Sequence, residues 1–147
     1  MADDAFSDYL LRRPATAAEW RTYHDIRRSV LFDKRGEAYD ENHPDEFKTN
    51  NHPLILWRRA EALGVIRIDI EETTAIFRRV AIRGECQRQG HGRLMLALSE
   101  AFARDRHCNE IRSFVNPEAV GFYERAGFLQ DLTVPTSDSF VAMVKNL

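Results

Sequence analysis

The sequence predicts an α/β (α+β) domain: a mixed central sheet of about six to seven strands with about four helices. Three observations carry that prediction. Strand-like and helix-like patterns follow one another in the order β, α, irregular, β-β-β, α, β, α, β-β. The consecutive strands in the middle imply an antiparallel meander, and the helices able to cross over to a parallel neighbour come late. A length of 147 residues with 44% hydrophobic content suits one core, so residues 1–147 are expected to form a single domain.

Tyr9 to Arg13 reads as a short strand stopped by Pro14, and Thr16 is placed to cap a helix. Trp20, Tyr23, Ile26 and Val30 give that helix one apolar face, running to about Leu31. The stretch that follows, through YDENHPDEFKTNNHP, is rich in Asn, Asp, Glu and Pro and predicts a loop or short broken helices. Loops of this length inside a compact domain are usually functional or disordered. Leu54 to Trp57, Ala62 to Ile70 and Thr74 to Ile82 predict three strands. Ile66, Ile68 and Ile70 alternate along the middle one, and Glu71-Glu72-Thr73 reads as a hairpin turn. Leu94, Leu98 and Phe102, with Met95 and Ala101 alongside, predict a helix from Arg93 to Arg106. Ile111 to Val115 is a short strand, after which Asn116 caps a helix that starts on Pro117 and ends before Gly127. Phe128 to Leu132 and Phe140 to Val144 supply the last strands.

Composition excludes several classes. Lys+Arg 21 against Asp+Glu 23 gives a formal net charge of -2, and the basic residues are dispersed among acidic ones, so no nucleic-acid partner is expected. Cys86 and Cys108 form no CxxC pair and no Cys/His run has zinc spacing, so no metal is expected and the thiols are read as reduced. The N-terminal MADDAFSDYLLRRP lacks a basic n-region and a long apolar h-region, and no stretch reaches the roughly 18 apolar residues of a membrane span. A cytoplasmic protein without a membrane partner is expected, with homodimerisation left open.

The chemistry concentrates in RGECQRQGHG. Gln87, Arg88, Gln89, Gly90, His91 and Gly92 lie between a strand ending at Ile82 and a helix starting at once. Such a turn aims free backbone N–H groups and the helix dipole at one spot, where phosphate binds well. Gly90 and Gly92 are expected to take positive φ and let a ligand approach, with Arg88 and Arg93 adding charge. A tight turn alone would also account for the two glycines. The loop lacks GK[ST] and GxGxxG, which disfavours nucleoside triphosphates and dinucleotides.

The chain resembles the GNAT superfamily of N-acetyltransferases. The family pattern Q/R-x-x-G-x-G/A is matched by Gln87, Gly90 and Gly92 after the strand Val80-Ala81-Ile82, and NPEAVGFYERAGF, Asn116 to Phe128, resembles the family segment N-x-x-A-x-x-F-Y-x-x-x-G-F. The resemblance implies an acyltransferase using acetyl-CoA, with the pyrophosphate on Gln87 to Gly92 and Arg93. It also implies that Val80 and Ile82 bind the pantetheine arm or the acetyl group through their main chain, with Ala81 between them also in the cofactor site, that Asn116 contacts the arm, and that Tyr123 protonates the departing thiolate. Locally, Asn116 is a helix cap and Tyr123 an ordinary core aromatic.

The chemistry so implied is direct attack of a neutral amine on the thioester in a ternary complex. Some family members place a carboxylate base early in the strand before the loop, where this chain reads Ala75-Ile76-Phe77-Arg78-Arg79. Base candidates are therefore sought at Glu71, Glu72, His24, Asp40, Glu41, His43, Asp45 and Glu46. The stretch from Tyr39 to Glu46 would give the acceptor pocket an acidic wall that suits a cationic amine, whereas Arg78 and Arg79 facing the cleft would suit an acceptor that also bears a carboxylate. A small-molecule amine is the leading acceptor; a protein N-terminus or lysine, and a non-catalytic acyl-CoA-binding domain, are the alternatives.

Overall fold

The computed structural model describes residues 8–147; the expectation of no leader falls partly on residues 1–7, outside them. The strands are β1 (Tyr9–Arg12), β2 (Asn51–Arg58), β3 (Glu61–Glu71), β4 (Thr74–Ile82), β5 (Glu110–Val115), β6 (Leu129–Gln130) and β7 (Val141–Asn146). They form one seven-stranded sheet in the order β1-β2-β3-β4-β5-β7-β6. Only β4 and β5 run parallel, so the sheet is mixed as expected.

There are three α-helices rather than the expected four or so: α1 (Ala17–Arg27), α2 (His91–Asp105) and α3 (Val120–Arg125). The polar stretch before β2 has no continuous apolar stripe, and it forms only a π-helical turn at Arg28–Phe32 and 3₁₀ turns at Asp33–Arg35 and Pro44–Phe47. Among the described residues no helix is long and apolar enough to cross a membrane.

Local chemistry sets the helix ends. Thr16 Oγ1 accepts from the Glu19 amide at 3.1 Å, and the Glu19 carboxylate reaches back to the Ala15 amide at 2.8 Å, a variant of the capping box. Gly127, at φ 94, lets the Phe128 amide donate to the Tyr123 carbonyl at 3.0 Å and so closes α3. Pro53 stands inside β2, where β1 pairs only from Ile55 to Arg58; the open edge absorbs its missing N–H.

The sheet buries both faces. Ile66, Ile68, Phe77, Met95, Ile111 and Tyr123 belong to the large cluster beneath α2 and α3. Tyr23 and Ile26 of α1 pack on Ile55, Val65 and Ala81 on the opposite face.

One irregularity sets the site. Arg67 pairs with Arg78 and Val65 with Ala81, so Arg79 and Val80 together oppose the single residue Ile66, and Arg79 sits at φ 55. This is a β-bulge, which bends its strand and shifts the alternation by one residue. Phe77, Val80 and Ile82 consequently pack on the α2 side. Arg78 and Arg79 both line a cavity beside α1.

Candidate active site

The parallel pairing of β4 with β5 runs only from Thr74 opposite Glu110 to Phe77 opposite Ser113. Beyond it the strands part, because β4 bends at the bulge while β5 stays paired with β7 as far as Val115. The β5-facing backbone groups of Arg78 to Ile82 are thereby left without a strand partner. Ser113 Oγ donates to the Phe77 carbonyl at 3.0 Å and pins the vertex of the opening. Tyr123 is 5% exposed beside this pin. Burial pushes its phenol above the ordinary value, against a smaller opposing effect of the Ser113 hydroxyl. A phenol so placed holds its proton at neutral pH.

The glycine loop leaves the end of β4 through a 3₁₀ turn at Gly84–Cys86. Among the described residues no acceptor is found for the backbone N–H groups of Arg88, Gln89, Gly90, His91, Gly92 or Arg93; Leu94 is the first to bond back, to Gly90 at 3.2 Å. Gln87 Nε2 donates to the Ile82 carbonyl at 3.0 Å and Gln89 Nε2 to the Glu85 carbonyl at 3.2 Å, so both glutamines brace the loop. Arg88 and Arg93 are exposed.

One expectation for the loop is corrected. Positive φ occurs at Gly90 (85°) and at Arg88 (63°), not at Gly92. Gly92 is helical, and a Cβ there would lie 3.2 Å from Phe122 Cζ, so its smallness serves the packing of α3. The His91 ring is buried and meets the Tyr9 hydroxyl at 3.2 Å through Nδ1, which leaves only its amide for a ligand. Asn116 Oδ1 accepts from the Glu118 amide at 3.2 Å, as a cap should.

On the α1 face lies a cavity of about 480 Å³ lined by Arg27, Tyr39, Glu46, Arg67, Asp69, Phe77, Arg78, Arg79 and Phe114 among others. Residues 32–51 supply one wall of it, partly exposed. Its interior is an ion-pair network. Both terminal nitrogens of Arg27, a residue 1% exposed, donate to Glu46 at 2.7 Å. Arg67 donates to Glu46 at 3.0 Å and through Nε and Nη2 to both Asp69 oxygens at 2.9 Å. Arg78 Nε adds a third bond to Asp69 at 2.9 Å. Burial alone would raise the Glu46 pKa; the Arg27 hydrogen bonds and the charges of Arg27, Arg67 and Arg79 overcome this and lower it.

The base candidates separate accordingly. Glu46 is engaged by two guanidinium groups and is a structural anion. His24 and Glu41 line a different cavity, of about 580 Å³, on the far side of Tyr39. His24 Nδ1 meets the Tyr39 hydroxyl, and burial lowers the imidazole pKa. Burial likewise pushes Tyr39 up to about 12. Glu72 occupies the hairpin turn at φ 55 and stays outside. Asp40, His43, Asp45 and Glu71 line the cavity and are exposed, with Asp45 paired to Lys48 at 3.3 Å.

Arg27, Arg67 and Asp69 are site residues that sequence reasoning missed. Arg67 and Asp69 alternate with Ile66, Ile68 and Ile70 and so read as a solvated strand face. Only the tertiary closure by residues 32–51 makes that face an interior.

Comparison with known proteins places these features. A family model described as the acetyltransferase (GNAT) family matches residues 16–128. A provisionally assigned N-acetyltransferase from Lactobacillus plantarum superposes with a TM-score of 0.79 at 21% identity, covering 95% of this chain and 97% of that one. The PaiA N-acetyltransferase from Thermoplasma acidophilum, solved with coenzyme A, gives 0.74 at 16% identity, covering 95% and 99%. A spermidine N-acetyltransferase from Vibrio cholerae gives 0.72 at 18% identity, covering 95% and 94%. The parted parallel strands, the row of free amides at the start of α2 and the family match over residues 16–128 agree: this chain belongs to the GNAT family of acetyltransferases and is an acyltransferase.

Proposed function

We propose that the protein is an N-acetyltransferase that moves the acetyl group of acetyl-CoA to a primary amine of a small molecule, by direct attack in a ternary complex. The observation that carries the small-molecule reading is that residues 32–51 wall the cavity beside β4 and are pinned there through Glu46 to the buried Arg27 and Arg67. A protein acceptor would need an open groove there.

The residues present fit acetyl-CoA. The unpartnered amides of Arg88 to Arg93 and the αL turn at Gly90 suit a pyrophosphate, with the exposed guanidinium groups of Arg88 and Arg93 adding charge. Gln87 and Gln89 hold the loop, and His91 offers its amide alone. Main-chain groups of Val80 and the Ile82 amide, facing the gap that β5 leaves, suit an amide-bearing arm, with Ala81 between them paired to Val65 of β3, and Asn116 borders the same gap. Acetyl-CoA supplies an activated thioester. The protein orients the amine beside it, excludes water and, through Tyr123 at the vertex, holds a proton where a leaving thiolate needs one.

The test is thiol release from acetyl-CoA against an amine panel, with Tyr123→Phe as the paired variant. The expected result is a loss in kcat on the order of 10²-fold with acetyl-CoA affinity kept, which is the range for one positioned acid. Unchanged kcat would remove Tyr123 from the chemistry. Acetyl-CoA binding without turnover on any amine would favour a non-catalytic acyl-CoA-binding domain.

A further inference from the structure

Four guanidinium groups line the cavity: Arg27 and Arg67 lie buried in its interior against the carboxylates of Glu46 and Asp69, while Arg78 is partly exposed and Arg79 exposed at its mouth. Both carboxylates are already committed. Glu46 takes both terminal nitrogens of Arg27 and one of Arg67, and Asp69 takes Arg67 and Arg78. Among the described residues Arg79 has no ion-pair partner; its guanidinium stacks over the Phe32 ring at 5.1 Å. Arg27 Nε is buried without a partner as well. With Arg79, the exposed lining carries the carboxylates of Asp40 and Glu71, and Asp45 is paired with Lys48.

From this we infer that the acceptor amine carries a carboxylate, which Arg79 binds at the exposed mouth of the cavity. The inference rests on the acetyl-transfer reading above and narrows its substrate class to small amino-carboxylates. Position supports it: Arg79 immediately precedes Val80, the residue assigned to the acyl-bearing arm, so a carboxylate held there keeps its own amine within a few bonds of the thioester. Electrostatics supports it too. Partial burial and the nearby charges of Arg27 and Arg67 push the Arg79 pKa down, a cost that a bound anion relieves. A cavity of about 480 Å³ admits a molecule of amino-acid size with room to spare.

The experiment compares amino acids with their carboxamides and with spermidine as acceptors, in the wild type, Arg79→Gly and Arg79→Lys. Glycine keeps the φ of 55 without strain, so the bulge is retained while the guanidinium is lost. A charge-assisted pair predicts that the wild type favours the carboxylate over the amide by roughly ten- to a hundredfold in kcat/KM, mostly through KM. Arg79→Gly should erase that ratio at unchanged acetyl-CoA affinity, and Arg79→Lys should restore part of it. A second arm is independent of turnover: calorimetric binding of N-acetylglycine against N-acetylglycinamide in the presence of coenzyme A. Preference for spermidine or for amides in an active wild type overturns the inference and leaves the acetyl-transfer reading intact. Equal binding of the two N-acetyl probes, or a ratio unmoved by Arg79→Gly, also overturns it. Failure of every amine to turn over strikes the acetyl-transfer reading instead, and the probe arm still decides whether Arg79 is an anion site.

Discussion

Replacing Glu46 by Ala tests whether the cavity's ion-pair network is structural. The carboxylate accepts two bonds of 2.7 Å from Arg27 and one of 3.0 Å from Arg67. Arg27 is 1% exposed and its Nε already lacks a partner, so among the described residues the variant would leave that guanidinium the Tyr23 hydroxyl at 3.1 Å as its one hydrogen-bond acceptor, beside the Tyr23 and Tyr39 rings. Removing one partner of a buried pair costs about 3–5 kcal/mol, a large share of the roughly 5–15 kcal/mol that holds a domain together. For a chain of this size that loss lowers Tm by about 6–20 °C. Urea denaturation and thermal melts monitored by circular dichroism measure it. The sign of the pH dependence follows from the depressed pKa: the contribution is complete above the ordinary value of 4.5 and is lost as the pH falls through the lower folded value. Glu46→Ala should therefore flatten the acid limb of the stability profile. A loss below about 1 kcal/mol would refute the reasoning, because it would mean that water or a neighbour replaces the carboxylate. A kcat–pH profile that loses its acid limb in Glu46→Gln while the fold persists would return Glu46 to the role of base.

The two loop glycines should fail in different ways. Gly90→Ala meets open space but is held at φ 85, costing about 1–2 kcal/mol of local strain, and should raise the Kd for acetyl-CoA in a calorimetric titration. Gly92→Ala has a compatible backbone but must displace Phe122 from 3.2 Å, so the expected loss of about 1 kcal/mol is one of packing and is read in the melting curve. The bulge is probed by Arg79→Val, whose branched Cβ disfavours φ 55. That variant should weaken acetyl-CoA binding as well as acceptor selectivity; an effect on selectivity alone would detach the bulge from the cofactor gap.

Much of the frame was legible because it follows from local rules. Alternation of Ile66, Ile68 and Ile70 gave a core-facing strand, Thr16 and Asn116 cap as their side chains require, and Gly127 terminates α3 in the left-handed region. The anion-ready turn was legible for the same reason, since strand, glycine and helix start determine which amides stay free. Gly92 was misjudged because sequence cannot tell a glycine chosen for φ from one chosen for a neighbour's ring. The acceptor cavity was obscure because its parts are remote: Glu46 meets Arg27, Arg67 and the sheet only through closure of a segment with no periodicity of its own. The bulge did leave a trace. Ala75 and Phe77 are two apart, but the next apolar residue on that face is Val80, three further on, and the slip marks one inserted residue.

That slip ties together the two halves of the site. In a regular β4, residue 79 would fall on the Phe77 face, pointing a guanidinium into the cluster beneath α2, and nothing would bend the strand away from β5. Burying an unpaired charge there would cost far more than one residue in the left-handed region does. Given an arginine at this position, the bulge is the cheaper arrangement, and it delivers two things at once: an unpaired backbone edge toward β5 and a guanidinium turned into the cavity beside α1. Cofactor gap and acceptor charge are therefore coupled through one backbone feature. Acceptor preference should change most freely through residues that leave the bulge in place, such as Arg78 and the cavity wall from Tyr39 to Glu46, and least freely through those that must keep φ near 55.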